Sequence, residues 1–393
     1  MTIQTILCDA IKKLGENKTT TPHLDAELLL CYALEKDIRC PKTEVELLST
    51  SVDRSSTSVF GHRMSIITRE HLFTHPEKKL TKFQLANYKK LINKRIKGEP
   101  VAYLTNHKQF YGLDFYVNKN VLIPRPETEL ITHNVERITH NTQHTTCNTQ
   151  HVTFIDVGTG SGCIIISIIK QIQSQFPISP ALPSEAGQAN FKFLALDISK
   201  PALAVARKNA KIHNVYNKIK FLHGNLLEPV ILKSKIFKKR QNPPPNRRGD
   251  SDEATFLQGD LLKPLLDKSS IVNCQSSIII TANLPYLTPA QIKNSPSIKY
   301  EPKLALSAGS DGLKYYKKLF KQINVMRSTL ALLDLSAGLC IPHYAFHVLC
   351  EIDQSQTHKI KKILKKEFCE FNLTIKKDLS GKNRLIIIEL DNK

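Results

Sequence analysis

Two short segments of this chain have residue types and spacings suited to chemistry. The first is the glycine loop Asp156-Val157-Gly158-Thr159-Gly160-Ser161-Gly162. It follows the apolar stretch Thr153-Phe154-Ile155 and precedes an apolar run from Cys163 to Gln173, so it reads as a strand-loop-helix junction. Glycines there allow positive φ and let the backbone approach a ligand closely. The spacing is Gly-x-Gly-x-Gly with a cysteine at 163, which departs from the dinucleotide pattern Gly-x-Gly-x-x-Gly. With Asp156 ending the strand, the loop fits a methyltransferase cofactor site better than a dehydrogenase site. Asp156, Gly158, Thr159, Gly160, Ser161 and Gly162 are its cofactor-binding candidates. The second segment is Asn283-Leu284-Pro285-Tyr286, which follows the apolar strand Ile278-Ile279-Ile280 and Thr281-Ala282.

An amide nitrogen is a poor nucleophile because its lone pair is delocalised into the carbonyl. Two carbonyl acceptors for its two N–H groups would hold it with the lone pair toward an electrophile. The side-chain oxygen of Asn283 and the backbone oxygen of Leu284 can supply them. Positioning of this kind can supply about 7–11 kcal/mol of a barrier at its upper limit. Acceptors that strengthen as the N–H groups acidify add electrostatic stabilisation. Pro285 stiffens the turn and restricts Leu284 to extended conformations, and Tyr286 can pack on a flat substrate group. The catalytic candidates are Asn283, Leu284, Pro285 and Tyr286. The two segments together imply methyl transfer from S-adenosylmethionine to an amide or exocyclic amine.

Further cofactor contacts are expected at the ends of the neighbouring strands. Asp197 closes the apolar stretch Phe191 to Leu196, where a carboxylate can accept both hydroxyls of a ribose. Asn225 lies 28 residues on (225 − 197), a natural helix-plus-strand length, and Asp260 lies 63 residues on (260 − 197). Both are candidates for the adenine amine, because Phe221-Leu-His-Gly-Asn-Leu-Leu-Glu-Pro and Phe256-Leu-Gln-Gly-Asp-Leu-Leu-Lys-Pro are near-copies.

These residues need elements to hold them. Residues 1–98 show apolar residues at helical spacing, as in Ile3, Ile6, Leu7, Ile11 and Leu14, and the last helix stops at Gly98. The Ser/Thr-rich stretch 50–75 reads as an irregular insertion. Residues 100–126 read as short strands with Tyr-Gly and Asn-Lys-Asn turns. From 127 on, helix and strand alternate, which predicts a doubly wound α/β sheet with its ligand at the strand carboxyl ends. Residues 139–151, 177–190 and 233–255 are polar or Pro-rich and read as loop insertions. His140, His144, Cys147 and His151 have ligand-like spacing. They sit in a repetitive Asn-Thr-Gln-His tract without apolar support, so no metal site is expected.

Composition bounds the remainder. The chain has 393 residues, 41% hydrophobic content and a formal charge of +21. Its length suits two domains. The charge is compatible with nucleic-acid or ribosome contact without requiring it. Nine cysteines occur with no Cys-x-x-Cys pair, a pattern that suggests a reducing, cytoplasmic setting. The segment 330–350 is broken by Asp334, Pro342, His343 and His347 and reads as a buried helix and strand, not a membrane span. No signal peptide is expected at the amphipathic N-terminus.

With these residues placed, the chain resembles the HemK/PrmC family of release-factor glutamine methyltransferases. The resemblance rests on Leu24-Asp25-Ala26-Glu27-Leu28-Leu29, Gly98-Glu-Pro-Val-Ala-Tyr-Leu-Thr, Ile123-Pro124-Arg125-Pro126-Glu127-Thr128-Glu129 and Asn283-Leu284-Pro285-Tyr286. Tyr300-Glu301-Pro302, Gly309-x-Asp311-Gly312 and Asp378-Leu-Ser-Gly-Lys-Asn-Arg384 extend it. Departures are Leu284 in place of the usual first proline, Asn106 and Gln109 in place of Gly and Glu, and the insertions. The resemblance implies a helical partner-recognition domain (1–98), a β-hairpin connector (99–126) and a Rossmann-like class I methyltransferase domain (127–393). It also implies cofactor contacts at Gly158 to Gly162, Asp197 and Asn283. The acceptor it implies is the glutamine of the Gly-Gly-Gln motif in class-I peptide chain release factors, cradled by Asn283 to Tyr286 of a monomeric enzyme. A ribosomal-protein glutamine methyltransferase would share these residues. A DNA or RNA adenine methyltransferase uses a similar turn on a flipped base.

Overall fold

The computed structural model describes residues 1–38, 67–142, 151–175, 190–231, 276–295, 298–336 and 344–390. Near the N-terminus, α1 (Ile3–Glu16), α2 (Pro22–Ile38), α3 (Arg69–Thr74) and α4 (Lys82–Ile96) surround a core of their own that includes Ile3, Ile6, Leu14, Leu29 and Tyr88. Thr2 caps α1 by accepting the Thr5 N–H, and Thr81 forms a reciprocal capping box with Gln84 at the start of α4. Gly98, with φ +92°, turns the chain out of α4. The buried carboxylate of Asp25 is satisfied by Arg95 Nε at 2.6 Å. Helix α3 lies inside the stretch read as irregular. One buried side chain, Leu72, holds this short helix to the core, and six residues are too few for a periodic signal. The rest of that stretch, through residue 66, lies outside the described residues.

The connector opens as a helix, not a strand: α5 (Val101–Thr105) begins after Pro100, and Asn106 in the left-handed region (φ 55°) ends it. Then β1 (His107–Phe110) pairs antiparallel with β2 (Leu113–Tyr116). Next come α6 (Glu129–Thr142), β3 (His151–Val157), α7 (Cys163–Gln175), β4 (Asn190–Asp197), α8 (Lys200–Ile212) and β5 (Ile219–His223). They are followed by β6 (Ser276–Ala282), α9 (Pro289–Lys293), α10 (Lys314–Ser336), β7 (Tyr344–Glu351), α11 (Thr357–Glu367), β8 (Asn372–Lys377) and β9 (Asn383–Leu390). The first expected insertion is shorter than 139–151, because α6 runs through Thr142 and β3 begins at His151. Its remainder, with His144 and Cys147, lies outside the described residues, as do 177–189 and 233–255.

The seven large strands form one sheet in the order β5-β4-β3-β6-β7-β9-β8, parallel except for β9, which is antiparallel to both its neighbours. Every residue of β6 is buried, as expected of a central parallel strand covered on both faces. One face packs on α10 and α11 through Tyr316, Phe320, Ile323 and Leu364. The other packs on α6 and α7 through Ile131, Val135, Ile165 and Ile169. Strand β3 lies between β4 and β6, with Val157 opposite both Leu196 and Ala282. The chain leaves β3 toward β4 on one side and returns at β6 on the other, so a ligand crevice is expected at the carboxyl end of β3. Asn209 of α8 is fully buried and ties three segments together: its Oδ1 accepts the Tyr116 N–H at 2.8 Å, and its Nδ2 donates to Tyr116 O at 2.9 Å and Ser161 O at 2.8 Å. Among the described residues no helix is long and apolar enough to cross a membrane.

Candidate active site

The crevice is present. A cleft of about 1000 Å³, part of it open to solvent, lies over the ends of β3, β4, β5 and β6, and Gly158, Gly160, Asp197, Asn225 and Asn283 are in its wall. The loop after β3 takes positive φ at Gly158, Gly160 and Gly162 (+73°, +54° and +81°). A Cβ on Gly158 would lie 3.2 Å from Leu284 Cδ2, so the bare backbone makes room for the Asn-Leu-Pro-Tyr turn beside it. Thr159 and Ser161 also line the cleft. Gly162 does not; it starts α7 against Ile166 and Ala206.

Asp156, expected to touch the cofactor, is fully buried beneath the loop and absent from the cleft wall. Its Oδ2 accepts the Thr159 hydroxyl at 2.6 Å and its Oδ1 the Thr281 hydroxyl at 2.8 Å, so it braces the loop to β6. Burial pushes its carboxyl up to about 6, against those two hydroxyls. The folded protein therefore holds a proton on Asp156 between about pH 4 and 6 that the unfolded chain has released, and stability from this group falls as pH rises through that window. We expect Asp156→Asn to gain about 2 kcal/mol relative to the natural protein between pH 4.5 and 7.5. Urea unfolding at both pH values measures it, and a pH-independent difference would contradict it.

Asp197 ends β4 at the cleft. It is not the cap of α8, since Ser199 fills that role by accepting the Ala202 N–H. The Asp197 carboxylate accepts the Gly160 N–H at 2.9 Å and the Ser199 N–H at 2.8 Å. A carboxylate has about four acceptor positions, so two remain for vicinal hydroxyls. Burial raises its pKa, opposed by those two N–H groups. Asn225 follows β5 and faces the cleft beside Gly224 and Leu226; Asp260 lies outside the described residues. Strand β5 occupies the sheet position next to β4, so the near-copy at 221 supplies the residue seen at the cleft.

Asn283, Leu284 and Pro285 line the cleft, directly beyond β6. Tyr286 is absent from the cleft wall; its hydroxyl turns inward and donates to Glu351 Oε1 at 3.1 Å. Glu351 ends β7 and is buried, and its Oε2 accepts the Thr128 hydroxyl at 2.6 Å. Thr128 Oγ1 in turn accepts Asn283 Nδ2 at 3.0 Å. Burial raises the Glu351 carboxyl, opposed by Thr128, Tyr286 and the nearby Arg384. Sequence reasoning assigned no role to Thr128 or Glu351. Thr128 lay in a segment noted for resemblance alone, and Glu351 carries the signal already used for Asp156 and Asp197, an acid closing an apolar strand. Arg125 pairs with the buried Glu301, whose other oxygen accepts the Ile123 N–H at 3.1 Å, and this pins the loop that presents Thr128.

The glycine loop lining the cleft and the half-committed acid at the end of β4 fit a nucleoside-type cofactor. Fold and cleft together are those of class I methyltransferases, the enzymes that use S-adenosylmethionine. Residues 54–105 match the family described as PrmC N-terminal domain, and residues 129–233 match the ubiE/COQ5 methyltransferase family. The chain is similar to the HemK/PrmC family over these segments. It is similar to proteins named release factor glutamine methyltransferase from Koribacter versatilis (34% identity over 53% of this chain and 56% of the relative) and Bacillus cereus (27% over 83% and 88%). The match to a third, from Nitratidesulfovibrio vulgaris, is 29% identical over 62% of this chain and 64% of the relative, so two of these three alignments span less than two thirds of the relative. The catalytic domain of human METTL16 aligns over 71% of this chain and 75% of its own, at 14% identity and a TM-score of 0.40, too remote to bear on function.

Proposed function

We propose that this protein transfers a methyl group from S-adenosylmethionine to the side-chain amide nitrogen of the glutamine in the Gly-Gly-Gln motif of class-I peptide chain release factors. The observation that carries this reading is the Asn283 amide at the cleft wall, its NH2 end engaged by Thr128 and its oxygen without a partner among the described hydrogen bonds. An open carbonyl acceptor suits an incoming NH2 group. S-adenosylmethionine, when bound, supplies an electrophilic methyl group on a sulfonium. Asp197 would hold the ribose hydroxyls and Asn225 the adenine edge. Asn283 Oδ1 and the Leu284 carbonyl would accept the two N–H bonds of the substrate amide, aligning its lone pair. Tyr316 approaches Leu284 O at 3.5 Å, but its single proton goes to Glu351 O at shorter range, which leaves the Leu284 carbonyl able to accept. As the amide nitrogen gained the methyl group and the sulfonium S–C bond broke to leave a thioether, its N–H bonds would acidify and both acceptors would strengthen. One of the two protons would then pass to water. Tyr286, turned inward, supports the cradle and does not face the substrate.

The names of the similar proteins support the acceptor. On this reading the N-terminal helices (1–98) recognise the release factor, 99–126 connects, and 127–393 catalyses, in a cytoplasmic monomer that needs no nucleic-acid contact. The test is incubation with methyl-labelled S-adenosylmethionine and three acceptors: a release factor, its Gly-Gly-Gln→Gly-Gly-Ala variant, and DNA. Label on the intact release factor alone is the expected result. Label on DNA, or none on the release factor, would overturn it.

A further inference from the structure

A buried carboxylate with no ion-pair partner among the described residues is costly, and Glu351 is such a group. Its two oxygens each accept a hydroxyl, Tyr286 on Oε1 and Thr128 on Oε2. Each hydroxyl has one proton. Once the Thr128 proton is committed to Glu351, Thr128 Oγ1 can only accept. The group it meets is the side-chain amide of Asn283, and only the NH2 end of an amide can donate. For the ionised Glu351, whose two oxygens can only accept, the direction of the chain, Asn283 to Thr128 to Glu351, follows from proton counting. The oxygen of Asn283 is left as the end available to the cleft.

We propose that Glu351 and Thr128 are positioning residues: by holding the Asn283 amide in one of its two orientations, they keep a carbonyl oxygen, and not an NH2 group, toward the amide being methylated. This rests on the proposed amide substrate for its catalytic consequence, but not for its structural one. The flipped amide would present two N–H donors to a substrate NH2 group, which has no acceptor on its N–H side to receive them. Conserving the hydroxyl conserves the orientation; removing it frees the amide to turn.

The decisive comparison is Thr128→Val, which keeps the shape and loses the hydroxyl, against Thr128→Ser, which keeps the hydroxyl. Two readouts are taken on the full chain. The first is steady-state methylation of the release factor: Thr128→Val lowers kcat about 10²-fold, the size of effect a misplaced cradle produces. The KM for S-adenosylmethionine stays within about threefold, and Thr128→Ser recovers most of the lost kcat. The second needs no substrate: NMR of protein labelled with ¹⁵N at asparagine, with the Asn283 side-chain signal assigned by its loss in Asn283→Asp. One of the two Asn283 amide protons is expected at a hydrogen-bonded shift in the natural protein and Thr128→Ser, and at an unbonded shift in Thr128→Val. An unchanged Asn283 signal in Thr128→Val overturns the proposal. If the natural protein methylates no release factor, the substrate reading fails, while the NMR comparison still decides the orientation. If the signal shifts but kcat does not, the network orients Asn283 without bearing on transfer, and the catalytic part of the proposal is overturned.

Discussion

Asn283→Ala is expected to lower methylation of the release factor about 10³-fold, by analogy with the removal of one oriented polar group from a transition-state site. The change deletes the oxygen that would accept a substrate N–H, and also the amide that Thr128 holds. It leaves Gly158, Gly160, Asp197 and Asn225 in place around the cleft. Affinity for S-adenosylmethionine should therefore weaken by no more than about tenfold, since a single hydrogen bond contributes roughly 0.5–1.5 kcal/mol net. Calorimetric titration with the cofactor and a turnover assay on the same preparation separate the two effects. Turnover within a few-fold of the natural protein would remove Asn283 from the cradle and with it the proposed mechanism.

Gly312→Ala is expected to be strongly destabilising. Gly312 has φ +69°, and a Cβ there would come within 2.4 Å of Tyr286 O and 2.5 Å of Gln356 Nε2. Neither neighbour is free to move. Gln356 donates from Nε2 to Tyr286 O at 2.9 Å and to Gly312 O at 3.0 Å, and the Tyr286 carbonyl belongs to the Asn-Leu-Pro-Tyr turn itself. The left-handed conformation alone costs an alanine about 1 kcal/mol. Displacing packed backbone should bring the loss above about 4 kcal/mol, in the range that marks a named structural fault. Gly309→Ala is the internal control. Its φ is +82°, but the nearest atom to a Cβ is Lys314 Cβ at an ordinary 3.7 Å, so it should lose only the conformational cost of about 1 kcal/mol. Urea unfolding of both variants measures the difference; equal losses would show that close packing at Gly312 is not what holds the turn. The Gly-x-Asp-Gly segment, noted in the sequence only as a resemblance, thus has a physical reason: Gly312 backs the Asn-Leu-Pro-Tyr turn.

Much of the site could be read locally. A glycine loop between an apolar strand and a helix, acids closing two strands and an Asn-x-Pro-aromatic turn after a third are all short-range patterns, because strand ends and tight turns impose their residue preferences within a few positions. The same locality misplaced Asp156 and Tyr286. A carboxylate at a strand end faces a ligand or sits beneath the loop according to a pleat and a neighbour, here Thr281 of the adjacent strand, that the local pattern does not contain. The helix α3 escaped for the same reason, since one leucine packed into a distant core is no pattern.

By itself, then, the amino-acid sequence determined the kinds of groups at the site, the alternation that builds the sheet and the family that the chain resembles. Only the tertiary structure decided which of them meet. It set β3 between β4 and β6, which brings Asp197, Gly158 and Asn283 to one crevice, and it placed the near-copy at 221 beside β4. It also joined Thr128 to Glu351 across 223 residues and set Thr128 against the Asn283 amide. Strand order and hydrogen-bond partners are long-range quantities, fixed by burial of the whole sheet and by the demand that every buried polar group find a partner. Neither leaves a mark in the spacing of neighbouring residues.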